Sequence, residues 1–186
     1  GKYEAKRDEM KARFCDWERA RQLAARTKGE AVNHLDEHLQ RFARNLEARG
    51  THVHWASTAG QAREIIRGIL AARSARIVVK SKAMTAEEIH LNEALENEGF
   101  EVVESDLGEY IVQLRKEAPY HIVFPAMHLT RGEISDLFRR ELGTAPTDNP
   151  EELTLIARRV LRKKYIEADI GISGANFAVA ETGMIS

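Results

Sequence analysis

The sequence predicts an α/β protein: a mostly parallel sheet with flanking helices, preceded by an N-terminal helical arm. Three observations carry this reading. The first 49 residues show helical spacing of apolar positions and no strand pattern. From Thr51 on, short apolar runs alternate with amphipathic stretches. Each run is followed within a few residues by a helix-start signal, as repeated strand-to-helix crossovers require. The expected division is a helical segment over residues 1–50 and an α/β domain over 51–186.

Within the arm, Phe14, Trp17, Ala20 and Leu23 recur every three residues, near the helical period. Gly29 is expected to break the helix. A second helix carries Val32, Leu35, Leu39, Phe42, Ala43 and Leu46, and Gly50 suits the position just past its end. The apolar faces of both are expected to pack against the sheet.

The predicted strands are His52–Ala56, Arg76–Lys80, Phe100–Glu104 and His121–Pro125, with a last one at Asp169–Ser173. Ile77-Val78-Val79 and Val102-Val103 have the β-branched character of buried strands. Thr58 with Gln61, Thr85 with Glu88 and Thr130 with Glu133 read as capping boxes, and Asp106 with Glu109 as a looser relative. Asn149-Pro150 places an N-cap before a proline at the first helical position.

Composition narrows the function classes. A net charge of −1 gives no electrostatic footprint for nucleic acid or an acidic membrane surface. No apolar run approaches the roughly 20 residues that span a bilayer. Cys15 is the single cysteine, so no internal disulfide can form and a reducing cytoplasm fits. One cysteine also cannot hold a four-cysteine zinc or iron–sulfur site. The starting glycine, with no methionine before it, reads as an engineering scar or the edge of an excised fragment.

A parallel sheet directs attention to the edge where strands feed helices, because ligands of open α/β sheets bind beyond it. Helix N-termini also present free N–H groups there. The residues expected on that rim are Lys80, Ser81, Lys82, Glu104 and His128. The segment after the last strand, "SGANFAVAETG", should bring Asn176 to the same rim and complete one wall of a cleft. Lys80 and Lys82 suit an anion such as a carboxylate. His128, directly after a strand, suits acid–base work or donation to a ligand. Glu181 beside Thr182 and Gly183 suits a nucleophile or base, or equally a carboxylate that ties a turn. Asp106 is accounted for as a helix cap. His34 and His38, four apart on a helix, read as a solvated face, so no metal site is expected. No GxGxxG, P-loop, HExxH or GxSxG motif is present.

Several stretches resemble a known family. "HLDEHLQRFARNLEARG", "SKAMTAEEIHLNEAL", "DLGEYI", "HIVFPAMHLTRGEISDLF" and "GANFAVAETG" are similar to the N-terminal part of the lactate-utilisation protein B family. The resemblance covers nearly the whole chain. It implies a lactate-utilisation (LUD) domain with a sugar-isomerase and CoA-transferase-like fold. It further implies one cytoplasmic subunit of a three-protein bacterial complex that oxidises L-lactate to pyruvate, with the other lactate-utilisation subunits as partners. In the family, cysteine-rich ferredoxin-like motifs follow this region, so iron–sulfur clusters are expected in the full-length protein and no cofactor in this chain. Lys80, Ser81, Glu104, His128, Asn176, Glu181 and Thr182 match the family motif. Met184 departs from it, standing where a small hydroxyl residue is usual.

The reading that follows is a binding and assembly module that docks partner subunits and holds a small carboxylate such as lactate or pyruvate, inactive by itself. Two others stay open: an isomerase or CoA-transferase-like enzyme using Glu181 and His128, and a regulatory sensor of lactate or pyruvate. No nucleic acid or membrane span is expected.

Overall fold

A computed structural model describes residues 2–186. The described residues form two compact units, residues 2–53 with Phe177–Ser186, and His54–Asn176.

The first unit holds helices α1 (Lys2–Arg13), α2 (Trp17–Asn33) and α3 (Leu35–Glu47). Gly29 does not break α2; the chain breaks instead at residues 14–16 and at His34. The reason is local. Asp16 accepts a hydrogen bond from the Arg19 N–H and so starts α2 afresh, whereas one glycine inside a helix costs only about 1 kcal/mol. Gly50 closes the arm as expected, with a left-handed φ of +82°. The apolar stripe differs from expectation: Phe14, Trp17, Leu23 and Val32 are exposed, and α2 buries no residue.

The same unit contains the closing segment. Strands β4 (Ala178–Val179) and β5 (Met184–Ile185) pair antiparallel. Phe177 and Ser186 exchange backbone hydrogen bonds of 3.0 Å in each direction. Asn45 on α3 donates through Nδ2 to the carbonyls of Ala180 (2.8 Å) and Glu181 (3.1 Å). Gly183 has φ +72°, and a Cβ there would lie 3.1 Å from the Asn45 and Leu46 backbone. The density of small and polar residues in this stretch thus serves a short hairpin held by an asparagine.

In the second unit, β1 (Ile77–Lys80) lies between β2 (Glu101–Glu104) and β3 (Ile170–Ile172), parallel to both. Side chains of successive strand residues point to opposite faces. Val78 and Val102 enter one core with Leu70, Leu91 and Leu95, while Val79 and Val103 enter another with Ile111, Leu137, Phe138 and Ile156. Helices α4 (Ala59–Ala72), α5 (Met84–Glu88) and α6 (Leu91–Glu96) supply the first core; α7 (Leu107–Arg115), α8 (Arg131–Leu142) and α9 (Pro150–Glu167) supply the second. The result is a helix–sheet–helix sandwich.

Two predicted strands are absent. Residues 52–56 form no regular structure, and β1 already has a partner on each side. Residues 121–125 fold into a tight turn instead. The His121 Nδ1 accepts the N–H groups of Val123 (3.1 Å) and Phe124 (3.2 Å), and Tyr120 N–H donates to the Pro125 carbonyl. Local capture by a side chain competes with a sheet ladder. Four expected caps are present: Thr58, Asp106 and Thr130 each accept from the predicted N–H, and Asn149 caps α9. Thr85 does not cap; it lies inside α5, whose N-cap is Ala83.

Candidate functional site

Strand register creates the site. Lys80 and Glu104 are the last residues of β1 and β2 and stand directly opposite one another. Both are buried, Lys80 at 0% and Glu104 at 4% exposure. The Lys80 ammonium lies 2.8 Å from Glu104 Oε1 and 2.8 Å from Glu87 Oε1 on α5. Burial pulls this lysine toward neutrality, but the hydrogen bonds to Glu104 and Glu87 outweigh it, and the pKa rises above the usual value. Lys80 therefore stays charged and already has two carboxylates.

Glu109 joins from the first turn of α7. Its N–H is taken by the Asp106 cap (3.1 Å), which fixes the start of the helix. Its carboxyl, 3% exposed as a residue, does not reach back to complete a capping box. One of its oxygens lies 3.7 Å from the Lys82 ammonium, which is also 4.0 Å from Asp106. Burial, reinforced by the adjacent Glu104 carboxyl, pushes the Glu109 pKa up to about 7, against the pull of Lys80 and Lys82. One ligand atom each from Glu87, Glu104 and Glu109 lie within 4.8 Å of one another.

Two amides frame the carboxylates. Asn92 on α6 donates to Glu104 Oε1 at 2.5 Å. Gln113 on α7 accepts the Glu104 N–H and donates to the Val102 carbonyl, pinning the end of β2. Above them opens a cavity of about 590 Å³ whose lining includes Glu87, Asn92, Glu104, Glu109 and Gln113. Six glutamates line it against one lysine, Lys116. This cavity repels anions and favours cations.

The remaining sequence-selected residues fall in several places. Ser81 and Ser173 meet through their hydroxyls at 2.9 Å, and Ser81 N–H donates to the Ile172 carbonyl, so the ends of β1 and β3 close on one another. Gly174 passes close to Ala83 and Lys82; a Cβ there would lie 3.2 Å from both. Asn176 is exposed. His128 packs against Tyr120 with ring centroids 4.9 Å apart and planes tilted by 32°, and lies 3.3 Å from Glu117. It does not line the acidic cavity. Glu181 is exposed, with its carbonyl on Asn45, and the Thr182 hydroxyl accepts the Met184 N–H in the hairpin turn. Both belong to the first unit, whereas Lys80, Ser81, Lys82, Glu104 and His128 belong to the second. His34 and His38 face Glu37 and Glu30 at the surface.

Comparison with known proteins supplies the family. The family model for the LUD domain matches residues 39–186. The chain belongs to the LUD domain family. Its relatives include lactate utilization protein B of Bacillus licheniformis, 46% identical over 183 residues. The alignment covers 98% of this chain and 38% of that protein. The namesake proteins of Shouchella clausii and Bacillus subtilis are each 47% identical over 172 residues, covering 92% of this chain and 36% of theirs. The chain thus spans well under half the length of the curated relatives it matches. No solved structure matches it.

Within the LUD domain the acidic cluster contains three residues that sequence reasoning passed over: Glu87, Asn92 and Glu109. Glu109 was legible only as the partner of the Asp106 cap. Its position in the first turn of a helix that begins at the strand ends is the signal that could have placed it on the rim.

Proposed function

We propose that this LUD domain is part of a lactate-utilisation protein B and serves L-lactate oxidation as the assembly part of an iron–sulfur subunit. The single observation that carries the reading is the 46–47% identity to proteins of that name along more than nine-tenths of the chain. The electron-transferring clusters belong outside these residues: a cluster takes about four cysteine ligands, and Cys15 is the only cysteine here.

Local geometry favours docking over capture of lactate. Lys80, the rim cation best placed for a carboxylate, is sealed and doubly paired, and the adjoining cavity is acidic. The turn at residues 120–127, by contrast, holds Tyr120, Ile122, Val123, Phe124 and Met127 out to solvent, with Phe124 63% exposed. Contiguous exposed apolar side chains mark interaction sites. The family reading supplies partner subunits as the cover for this turn.

The test is genetic and biochemical. Deleting the full-length gene should abolish growth on L-lactate, and the wild-type gene should restore it. A Val123→Asp/Phe124→Asp variant should fold, fail to co-purify with the partner subunits and fail to restore growth. Normal growth on L-lactate after deletion would overturn the assignment; normal co-purification by the variant would overturn the docking turn.

A further inference from the structure

We propose that the floor of the acidic cavity is a binding site for a hard divalent cation of the magnesium, manganese or calcium class, held through the oxygens of Asn92, Glu104 and Glu109. Lactate and partner subunits play no part in this inference, which goes beyond the assembly reading.

The first support is the pattern of hydrogen-bond satisfaction. Buried polar atoms without a protein partner are few in native proteins. Among the described residues four such side-chain atoms occur: Asn92 Oδ1, Glu104 Oε2, Glu109 Oε2 and Thr144 Oγ1. The first three belong to residues lining one cavity. With Glu109 ionised all three are acceptors, and what they call for is a donor or a cation; below about pH 7 the proton on Glu109 supplies a donor to the adjacent Glu104 carboxyl. Glu104 and Glu109 are each more than nine-tenths buried, which makes an uncompensated oxygen there costly.

The second support is charge. Glu87, Glu104 and Glu109 face one buried ammonium, Lys80; Lys82 is matched by Asp106 as well as by Glu109. With its carboxylates ionised, the cluster is two positive charges short. Lys80 engages only Oε1 of Glu104 and Oε1 of Glu87. It therefore orients Glu104 and leaves Oε2 free. Glu87, within the same 4.8 Å group, completes an acidic rim.

The third support is donor type. Carboxylate and amide oxygens without sulfur or imidazole suit hard cations and not zinc or copper. His90 also lines the cavity, but its side chain is largely exposed and turned to Glu93. A cavity of about 590 Å³ leaves room for the waters that such cations keep.

Manganese is the probe. Titration of the protein with Mn²⁺ at pH 8, followed by electron paramagnetic resonance of the free ion, should show one site with a dissociation constant below about 1 mM. Mg²⁺ or Ca²⁺ should compete for it. Glu109→Gln should weaken binding at least about tenfold, while Glu141→Gln on α8, outside the cavity lining, should leave it unchanged. The wild-type protein gives a second readout that needs no variant. Mn²⁺ should broaden the NMR signals of the Asn92 side-chain amide and the Glu104 and Glu109 backbone amides before those of α8. No site at millimolar Mn²⁺, full binding by Glu109→Gln, or broadening centred elsewhere would overturn the proposal.

Discussion

Lys80 is the residue on which the second unit turns. A buried ammonium is tolerated only with partners, and this one has two, each at 2.8 Å. Removing it strands Glu104 in the core. Lys80→Met should therefore cost about 3–5 kcal/mol in a denaturant titration, because an unpaired buried charge is more expensive than the pair was favourable. The double variant Lys80→Met/Glu104→Met should recover much of the loss. Equal destabilisation of the single and double variants would show that packing, not the stranded charge, sets the cost.

At the scale of elements, the closing hairpin is the clearest case of sequence serving geometry. Strands β4 and β5 pair over two residues each, too few to hold by themselves. Asn45 supplies the external anchor through two carbonyls, and Gly183 supplies the left-handed turn against the α3 backbone. Asn45→Ala should cost about 1–2 kcal/mol and speed amide exchange at Phe177 and Ser186 ahead of β1. Gly183→Ala should cost about 1–2 kcal/mol from the positive φ, before any clash with α3. Unchanged exchange in Asn45→Ala would assign the hairpin's order to something other than this anchor.

Much of this level was legible beforehand. Runs of β-branched residues in β1 and β2 named both strands, and the capping residues Thr58, Asp106, Thr130 and Asn149 named the starts of α4, α7, α8 and α9. The failures have physical causes. His52–Ala56 and His121–Pro125 look like strands by composition, but pairing depends on a neighbour, and a His121 ring that captures two backbone N–H groups leaves no ladder to form. Thr85 has the right spacing to Glu88 for a cap, but that helix begins two residues earlier, at the N-cap Ala83. The site was half legible. The strand-end rule pointed to Lys80 and Glu104, whereas Glu87, Asn92 and Glu109 converge on them only through tertiary folding. The signs of Lys80 and Lys82 suggested an anion; in three dimensions both lysines lie beside carboxylates, and the neighbouring cavity is lined by six glutamates.

For the molecule as a whole, the acidic cluster couples folding to pH. Glu109 titrates at about 7 when folded, against an ordinary value of 4.5. Between those values the folded chain holds a proton that the unfolded chain has released. This group's contribution is thus fully present below about pH 4.5 and is lost as pH rises through about 7. In chelator-treated buffer, melting temperature should fall from pH 5.5 to pH 8 more steeply for the wild type than for Glu109→Gln, whose amide carries no charge at either pH. Parallel curves for the two proteins would place the relevant titration at another residue.

The opposition of Lys80 and Glu104 across β1 and β2 also bears on how the chain finds its fold. Sliding one strand by a single position would turn its charged end toward the oily layer of Ile111, Leu137 and Phe138 and away from its counterion. The displaced ion could not be hydrated there. Misaligned sheets thus carry an electrostatic penalty that the native register avoids, and the ion pair marks that register as surely as the apolar pattern does.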